Sequence, residues 1–385
     1  MRFRNWNKLM RWLTMMLLVS SCVEPYSPEV LEAPNSFLVV NGFINANGPT
    51  TIQLLRTQNL NEETPPPAET GAVVRVESDA GESYTLYEAG DGSYTAGNLN
   101  LNQANKYRLF IRTQNGREYT SEFVEVKQTP AVDEITWEVI GNEVQLYVNT
   151  HDPTNNTRYY RWEYEDTWQF RSAFYTSLKF ENDTVEDRTD NDPLIYNCWR
   201  SSSSNTLELG NSVRLSQDVI SNYKLLALPY NTEKLGIKYS MLVRQYALTR
   251  EAYEYWEILK KNTESIGTLF DPLPSQLTGN IRSVDDPQEP VIGFVTASTT
   301  QEKRVFIERK DLPREWRTFI PTCSIDTLLF GERSVKDFFS SAYVLPVEEV
   351  HPPNGAPVAI GYTYASRNCV DCRTRGTNVK PDYWE

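Results

Sequence analysis

Histidine is scarce in this chain, with two among 385 residues. Neither His151 nor His351 lies in a metal-binding motif such as His-Glu-x-x-His, and the sequence has no Gly-x-Ser-x-Gly elbow and no phosphate-binding loop. These absences argue against serine-type and zinc-dependent hydrolysis. A glycosidase that uses two carboxylates stays open, because such pairs are recognised by their separation in space and the chain has 51 acidic residues. We predict no catalytic residue, no metal site and no cofactor.

Positive charge is also in short supply. The chain has 38 Lys and Arg residues against 51 Asp and Glu residues, a net charge of −13. Removal of residues 1–21 would take away four cations and no carboxylate, which leaves about −17. Nucleic acids and anionic lipid surfaces are bound by clustered cations. The charge balance therefore argues against a nucleic-acid partner, and a role in solubility explains it more simply.

Long hydrophobic runs are absent as well. The apolar run over residues 12–19 is about half the length that a membrane-spanning helix needs, and no later segment approaches 18 apolar residues. A basic stretch precedes this run, with cations at Arg2, Arg4, Lys8 and Arg11. The arrangement is typical of a cleaved signal peptide, which we place at residues 1–21.

The next residues resemble the bacterial lipobox, in which small residues precede a cysteine that is acylated and then exposed by cleavage. Residues 19–21 are Val-Ser-Ser and stand directly before Cys22. We predict that Cys22 is lipidated and that its acyl chains are the membrane attachment. The alternative is an ordinary secretory signal with a cysteine nearby. Residues 22–35 hold three prolines and predict a tether that lifts the body off the lipid.

Four further cysteines remain after Cys22, and an even number in an exported chain indicates disulfides. Four cysteines allow three pairings, and the sequence does not choose among them. The spacing of the last two also fits zinc or redox chemistry, but no second Cys-x-x-Cys motif and no thioredoxin-like context accompanies it. We predict disulfides among Cys198, Cys323, Cys369 and Cys372.

Aromatic residues make up 12% of the chain, and Gly and Pro punctuate short alternating runs, which favours a mostly β protein. Residues 36–128 contain seven short predicted strands separated by turns such as Asn-Gly and Asp-Gly. This spacing predicts an immunoglobulin-like β-sandwich, in which Tyr107 takes the place of a tyrosine-corner residue.

Residues 129–385 predict a larger β-rich domain with one helical insertion. The helix is expected near 250–263, with Thr249 as its N-cap. Residues 159–170 alternate, so that Trp162 and Tyr164 share one face and charged residues share the other. This face is either an aromatic platform for a sugar or a peptide, or the inner side of a half-buried sandwich strand.

Several segments resemble an uncharacterised lipoprotein family of Bacteroidota, the domain of unknown function numbered 4249, over essentially the whole chain. They are Glu-Pro-Tyr at 24–26, Leu-Val-Val-Asn-Gly at 38–42, Gln-Tyr-Ala-Leu at 245–248 leading into Ala-Tyr at 252–253, Leu-Phe-Asp-Pro-Leu-Pro-Ser at 269–275, Gly-Asn-Ile at 279–281, Asp-Cys-Arg at 371–373 and Gly-Thr-Asn-Val-Lys-Pro-Asp-Tyr-Trp at 376–384. The resemblance implies a place beside TonB-dependent transporters at the outer membrane. It implies no catalytic residues.

Three functional hypotheses follow. The first is a non-catalytic accessory or lid partner of a TonB-dependent nutrient transporter, lipid-anchored to the outer membrane on its periplasmic or cell-surface face. The second is a surface glycan-binding or adhesin lipoprotein, and the third is a glycan- or peptide-processing enzyme. Under the first hypothesis the larger domain offers apolar anchors for the contact, and the candidate binding residues are Trp162, Tyr164 and Phe270.

Overall fold

A computed structural model describes residues 36–58, 62, 64–264, 277–316, 319 and 321–384. The predicted signal peptide, the tether and the lipidation site Cys22 lie outside these residues. The chain from Phe37 onward forms one compact unit that is mostly β-strand, which confirms the predicted fold class. Within the described ranges, no helix is long and apolar enough to cross a membrane.

The first part of the chain folds into eight strands, several of them joined by tight turns. The first hairpin is fixed at its turn, where the Asn45 amide donates to the hydroxyl of Thr50 at 3.0 Å. The strands are β1 (Leu38–Asn45), β2 (Pro49–Arg56), β3 (Val73–Ser78), β4 (Ser83–Gly90), β5 (Ser93–Asn98), β6 (Lys106–Arg112), β7 (Glu118–Ser121) and β8 (Val124–Lys127).

The later part contributes fifteen described strands and a few helices. The strands are β9 (Val132–Ile140), β10 (Glu143–Asp152), β11 (Tyr159–Arg171), β12 (Leu178–Glu181), β13 (Thr184–Asp187), β14 (Asn197–Ser203), β15 (Glu208–Asn211), β16 (Asp218–Pro229), β17 (Lys238–Leu248), β18 (Ile281–Ser283), β19 (Ala297–Ser298), β20 (Thr300–Glu308), β21 (Asp326–Leu329), β22 (Val344–Val350) and β23 (Gly361–Ser366). The α-helices are α1 (Arg250–Glu264), α2 (Val335–Phe339) and α3 (Arg367–Val370), and short 3-10 turns lie at Glu233–Leu235, Arg309–Asp311 and Cys372–Thr374.

The first sheet has ten strands in the order β18-β7-β6-β3-β4-β5-β2-β1-β19-β8. An additional pairing between β8 and β6 closes this sheet on itself, so that it is barrel-like, a step that the sandwich prediction did not include. Alternate side chains of its strands point inward, as the period of two requires. Tyr107 is fully buried, and its hydroxyl donates to the carbonyl of Asn102 at 3.1 Å. This contact is the one expected of a tyrosine corner.

Two strands of the closed sheet come from much later in the chain. β18 pairs with β7, and β19 lies parallel between β1 and β8. Residues 291–297 also supply Val291, Val295 and Ala297 to the core of this sheet. The segment that we assigned by sequence to the larger domain therefore also completes the first sheet.

The larger β region contains two sheets that share one core. Their strand orders are β16-β10-β9 and β14-β11-β17-β20, with β15 paired to the start of β11. The predicted helix is confirmed as α1, and the hydroxyl of Thr249 accepts from the Ala252 amide at 3.2 Å. Leu248 and Ala252 bury one side of this helix against Leu209 of β15.

The connection between the closed sheet and the larger region is held by hydrogen bonds. The Thr129 amide donates to the hydroxyl of Thr299 at 2.8 Å, and the Thr129 hydroxyl donates back to the Thr299 carbonyl. The side-chain amide of Gln245 donates to the Pro130 carbonyl at 2.8 Å. Separation of the two regions would leave these buried polar groups without hydrogen-bond partners. The connection is therefore a fixed part of the fold and not a flexible linker.

The C-terminal residues cross the outer face of the sheet that contains β11. Thr377 forms a bridge with Trp199 of β14, and the Tyr383 hydroxyl lies 2.9 Å from that of Thr167. The guanidinium of Arg304 stacks on Tyr383 at 3.6 Å from the ring centre. The tail thus covers one end of this face.

Candidate functional site

The four predicted disulfide cysteines form two disulfides. Cys198 on β14 pairs with Cys372, and Cys323 pairs with Cys369 on α3. The disulfide prediction is confirmed, and the structure resolves which of the three pairings is formed. The two cysteines of the Cys-x-x-Cys motif bond to different partners, so they serve neither as a redox pair nor as zinc ligands.

The aromatic strand β11 places its candidate residues in the core. Trp162 is fully buried, its indole N–H donates to the Gln245 side-chain oxygen at 2.8 Å, and its ring lies against Tyr160 and Tyr223. Tyr164 is 8% exposed, and burial raises the pKa of its hydroxyl. The aromatic-platform interpretation is therefore wrong for both residues. Both side chains point inward, because alternate residues of β11 face the core that this sheet shares with the opposite sheet.

The charged face of β11 is also partly covered. The guanidinium of Arg161 lies between the rings of Tyr246 and Trp256, at 4.7 and 4.5 Å from their centres, and contacts the Glu163 carboxylate at 3.0 Å. Trp256 belongs to α1, so this stack fastens the helix to the sheet. The third candidate, Phe270, lies outside the described residues.

A different aromatic group, on the C-terminal sheet β21-β23-β22, is more accessible. Phe339 of α2 is buried at its centre and touches the rings of Phe180, Phe338, Tyr362 and Tyr364. Helix α2 is held over the sheet by its cap, where the hydroxyl of Ser334 accepts from the Asp337 amide. The cluster therefore has one buried ring at its centre, surrounded by four half-buried rings.

The solvent side of this sheet carries a group of exposed apolar residues at one end. Phe330 is 46% exposed, and its ring lies 5.3 Å from that of Tyr362. Its amide donates to the carbonyl of Ile360 at 2.8 Å, which places the two side chains beside each other. We call Phe330, Ile360 and Tyr362 the C-terminal apolar surface, in which Phe330 and Ile360 are 46 and 37% exposed.

The electrostatics of this surface favour binding over acid–base chemistry. Burial raises the pKa of the Tyr362 hydroxyl, and the Glu349 carboxylate raises it further, so the phenol stays protonated. His351 lies 3.4 Å from Glu349 at the rim, where both are about half exposed. Among the described residues, no group of three or more His, Cys, Asp or Glu side chains is placed to hold a metal ion. The arrangement can bury apolar area from a partner.

Sequence reasoning did not single out this surface. Signals for it exist, since Tyr362 and Tyr364 alternate with small residues and residues 328–330 read Leu-Leu-Phe. We predicted no strand after residue 308, because β21 has four residues and proline interrupts β22. Short strands of this kind are stabilised by contacts from distant segments, which periodicity does not report.

Three solved structures match this chain with low TM-scores. A two-domain fibronectin type III segment of chicken tenascin matches with 11% identity and a TM-score of 0.16, over 55% of this chain and 89% of its own. A putative carbohydrate binding protein from Bacteroides uniformis matches with 11% identity and a TM-score of 0.16, over 55% of this chain and 90% of its own. A DUF3823 family protein from Bacteroides ovatus matches with 14% identity and a TM-score of 0.15, over 56% of this chain and 92% of its own. Such TM-scores do not establish a shared fold.

Sequence comparison is more decisive about the family. No curated protein matches the chain. The profile of a family described as a domain of unknown function (DUF4249) matches residues 23–304, which is well over half of the chain and includes both the closed sheet and most of the larger region. The chain therefore belongs to the DUF4249 family.

Proposed function

We propose that this protein is a non-catalytic, lipid-anchored accessory protein of a TonB-dependent outer-membrane transporter, and that it contacts the transporter through the C-terminal apolar surface. The observation that supports the proposal is the exposure of the neighbouring apolar side chains Phe330 and Ile360 on a sheet that two disulfides hold in place. Clustered exposed apolar residues with polar surroundings are typical of protein-binding surfaces.

Rigid presentation supports the same role. Cys323 lies three residues before β21 and is bonded to Cys369 on α3, so the edge of the sheet is tied to its core. A surface that is already ordered loses less conformational entropy on binding, and an aromatic residue such as Phe330 is suited to anchor a contact. The accessory role therefore needs no rearrangement of this sheet.

The anchor strengthens a weak contact. Acyl chains on Cys22 and a tether over residues 22–35 would confine the body to the membrane surface, where the effective concentration of a neighbouring transporter is high. The place of the protein at the outer membrane, on either face, belongs to this proposal. A Cys22→Ala variant should lose acyl labelling and move to the soluble fraction. Retention of the unlabelled variant in the membrane would contradict the anchor.

The adhesin alternative has less support, because the aromatic residues that suggested a sugar platform, Trp162 and Tyr164, are buried. An exposed aromatic face is what a glycan would need for stacking, and β11 presents none. The accessory role therefore remains the better supported of the two.

The test is purification of the tagged full chain from its native membrane in mild detergent, followed by identification of what accompanies it. We expect a TonB-dependent transporter to co-purify with the wild type and to be lost with the double variant Phe330→Glu and Ile360→Glu. The control is Tyr87→Glu on β4, which adds one carboxylate, against two in the double variant, at a residue that is 73% exposed on the closed sheet.

Three results would contradict the proposal. One is repeated recovery of the wild type alone at native expression. Another is loss of the transporter with Tyr87→Glu as well, which would show that any added surface charge has the effect. The third is recovery of the transporter with the double variant, which would place the contact elsewhere.

A further inference from the structure

A concave site lies where the closed sheet meets the larger β region, far in sequence from the C-terminal apolar surface. Its volume is about 460 Å³, which is within the range of small-molecule pockets. Residues 122–127, which include β8, form one wall, and residues 156–159 together with the start of α1 form the other. We call this site the junction cleft. The hydrogen bonds of Thr129 and Gln245 next to it keep its two walls at a fixed separation.

The charge of the junction cleft differs from that of the whole chain. Four cationic residues line it against three carboxylates, an excess of one positive charge in a chain whose net charge is −13. The cations are Lys106, Lys127, Arg158 and Arg250, and the carboxylates are Glu122, Glu125 and Glu251. The charges that line the cleft therefore favour an anion, whereas the net negative charge of the whole chain disfavours one.

Arg158 is the cation best placed to receive a ligand. Its guanidinium donates only long hydrogen bonds, to the carbonyls of Ser212 and Leu215 at 3.4 and 3.3 Å. No carboxylate among the described residues forms a salt bridge with it, whereas Arg250 is engaged by Glu254 at 2.7 Å. A guanidinium with remaining N–H donors binds a carboxylate with two parallel hydrogen bonds.

Two of the three carboxylates are paired with a cation, one inside the cleft and one outside it. Glu125 lies 3.5 Å from Lys127, and Glu122 lies 3.7 Å from Arg282, which is outside the cleft. Glu251 stands in the first turn of α1 and keeps one negative charge at the rim. This charge disfavours a compact, multiply charged anion such as phosphate and is compatible with a single carboxylate.

Four of the residues that line the cleft have aromatic or aliphatic side chains, and we call them its apolar floor. They are Phe123, Tyr159, Leu248 and Phe294, of which Phe123 is 41% exposed and Leu248 is buried. Tyr159 is fixed by the ring of Tyr253 at 5.0 Å. A ligand that fills this floor gains hydrophobic free energy in addition to its ionic contact, at roughly 25 cal/mol per Å² of apolar area buried.

We propose that the junction cleft binds a short peptide or acylated amino acid through one carboxylate and one apolar side chain, with Arg158 as the carboxylate contact and Phe123 and Phe294 as the apolar contacts. The cleft accepts a ligand of this size, and its mixed lining selects for a molecule that carries both groups. This site is independent of the proposed transporter contact, because it uses a different surface.

The proposal is tested by isothermal titration calorimetry on the full mature chain in detergent. The probes are N-acetyl-phenylalanine, its neutral amide and inorganic phosphate. We expect the acid to bind at least about ten-fold more tightly than the amide, because a charge-assisted contact is lost in the amide. Phosphate should bind more weakly than the acid, since it gains nothing from the apolar floor.

Substitutions test whether Arg158 is the residue that contacts the carboxylate of the ligand. Arg158→Gln should raise the dissociation constant of the acid about ten-fold and remove the preference over the amide. Lys380→Gln, which removes an exposed cation from the C-terminal tail, should change neither value. If Arg158→Gln fails to fold, Lys127→Gln serves as the second variant and should weaken the acid by a smaller factor.

The proposal is overturned by equal affinity for acid and amide, by tighter binding of phosphate than of the acid, or by an Arg158→Gln variant that folds and binds the acid as the wild type does. Absence of any binding of the acid up to about 10 mM, far weaker than a specific site would show, also overturns it.

Discussion

The closed sheet and the C-terminal sheet reach stability by different means. Nineteen buried hydrophobic residues fill the closed sheet, and no disulfide lies within it among the described residues. The C-terminal sheet and the segments packed on it bury five hydrophobic residues in their own cluster, and both disulfides attach to that part. A large core provides stability by removing apolar area from water, whereas a small one needs a covalent constraint. The Cys323–Cys369 disulfide supplies this constraint within the small cluster, whereas Cys198 and Cys372 are buried in the core of the larger β region and tie the C-terminal part to it.

The largest expected effect comes from removing the long-range disulfide. The double variant Cys198→Ala and Cys372→Ala opens a loop of sequence separation 174. Because the unfolded chain gains the loop's entropy, we expect the free energy of unfolding of the C-terminal part to fall by roughly 5 kcal/mol. The measurement is limited proteolysis during a urea titration, read by mass spectrometry. The pair Cys323→Ala and Cys369→Ala, with separation 46, should cost about 4 kcal/mol.

This prediction sharpens the comparison because strands β1–β8 of the closed sheet lie outside both disulfide loops, although β18 and β19 lie within the longer one. Fragments from residues 38–127 should become protease-sensitive at the same urea concentration in the variants and in the wild type. A shift of equal size in both regions would show that they unfold together and would break the comparison.

The next effect tests burial in the closed sheet. Leu54 of β2 is fully buried, so Leu54→Ala should lower the free energy of unfolding by about 3 kcal/mol through lost apolar contact and the cavity that remains. Leu329→Ala is the matched control, because Leu329 is 38% exposed on the C-terminal sheet and should lose less than about 0.5 kcal/mol. Chemical denaturation followed by tryptophan fluorescence measures both. Equal losses would mean that the C-terminal sheet relies on burial as much as the closed one.

A pair of glycines tests how tightly the late segment is built into the closed sheet. Gly293 has φ +145°, and an added Cβ would lie 2.4 Å from the Val40 carbonyl oxygen. Gly293→Ala should therefore destabilise by about 2 kcal/mol through clash and strain. Gly331→Ala, at φ +95° beside β21, meets nothing within 4 Å and should cost about 1 kcal/mol from strain alone. Thermal unfolding compares the two. A larger loss at Gly331 would contradict the close approach of residue 293 to β1.

The smallest effect concerns a surface ion pair near the connection between the regions. The Asp133 carboxylate lies 2.8 Å from the His151 ring and, through this hydrogen bond, raises the pKa of the imidazole above its ordinary 6.5. A raised pKa in the folded state means that the pair stabilises the fold below the unfolded pKa and stops doing so as pH rises through the folded value. Both groups are about half exposed, so the gain is small.

Nuclear magnetic resonance of the imidazole proton checks this expectation. The titration midpoint of His151 should fall in Asp133→Asn, because the charged partner is gone. A His351→Gln background leaves one histidine and removes any ambiguity of assignment. An unchanged midpoint would mean that the pair does not form in solution.

Much of the local structure was predictable from the sequence because it depends on neighbours along the chain. The helix predicted near 250–263 is confirmed and runs from Arg250 to Glu264. Turn residues and capping residues such as Thr249 determine where such elements begin and end, and both kinds of residue can be recognised in the sequence. The closure of the first sheet was not predictable, because β18 and β19 have three and two residues and gain their stability from strands far away in sequence.

The candidate site was harder to predict than the fold. The pattern of Trp162 and Tyr164 identified one face of β11 correctly, but a period of two does not say which face the opposite sheet covers. Arg161 illustrates the limit, since a charged residue on the supposed outer face is 9% exposed beneath α1. The exposure of Phe330 likewise depends on which distant segments of the chain pack near it. Such facts belong to tertiary packing and have no local signature.

The nesting of the two disulfides has a consequence for biosynthesis. Cys323 and Cys369 are 46 residues apart, and both lie inside the interval of 174 residues between Cys198 and Cys372. A chain made from its N-terminus exposes Cys198 first, and its partner is synthesised last. During that delay Cys198 is a free thiol with Cys323 as the first available wrong partner, so thiol–disulfide exchange must correct any early pairing. Formation of the correct pairs is therefore expected to be faster in the presence of a disulfide isomerase.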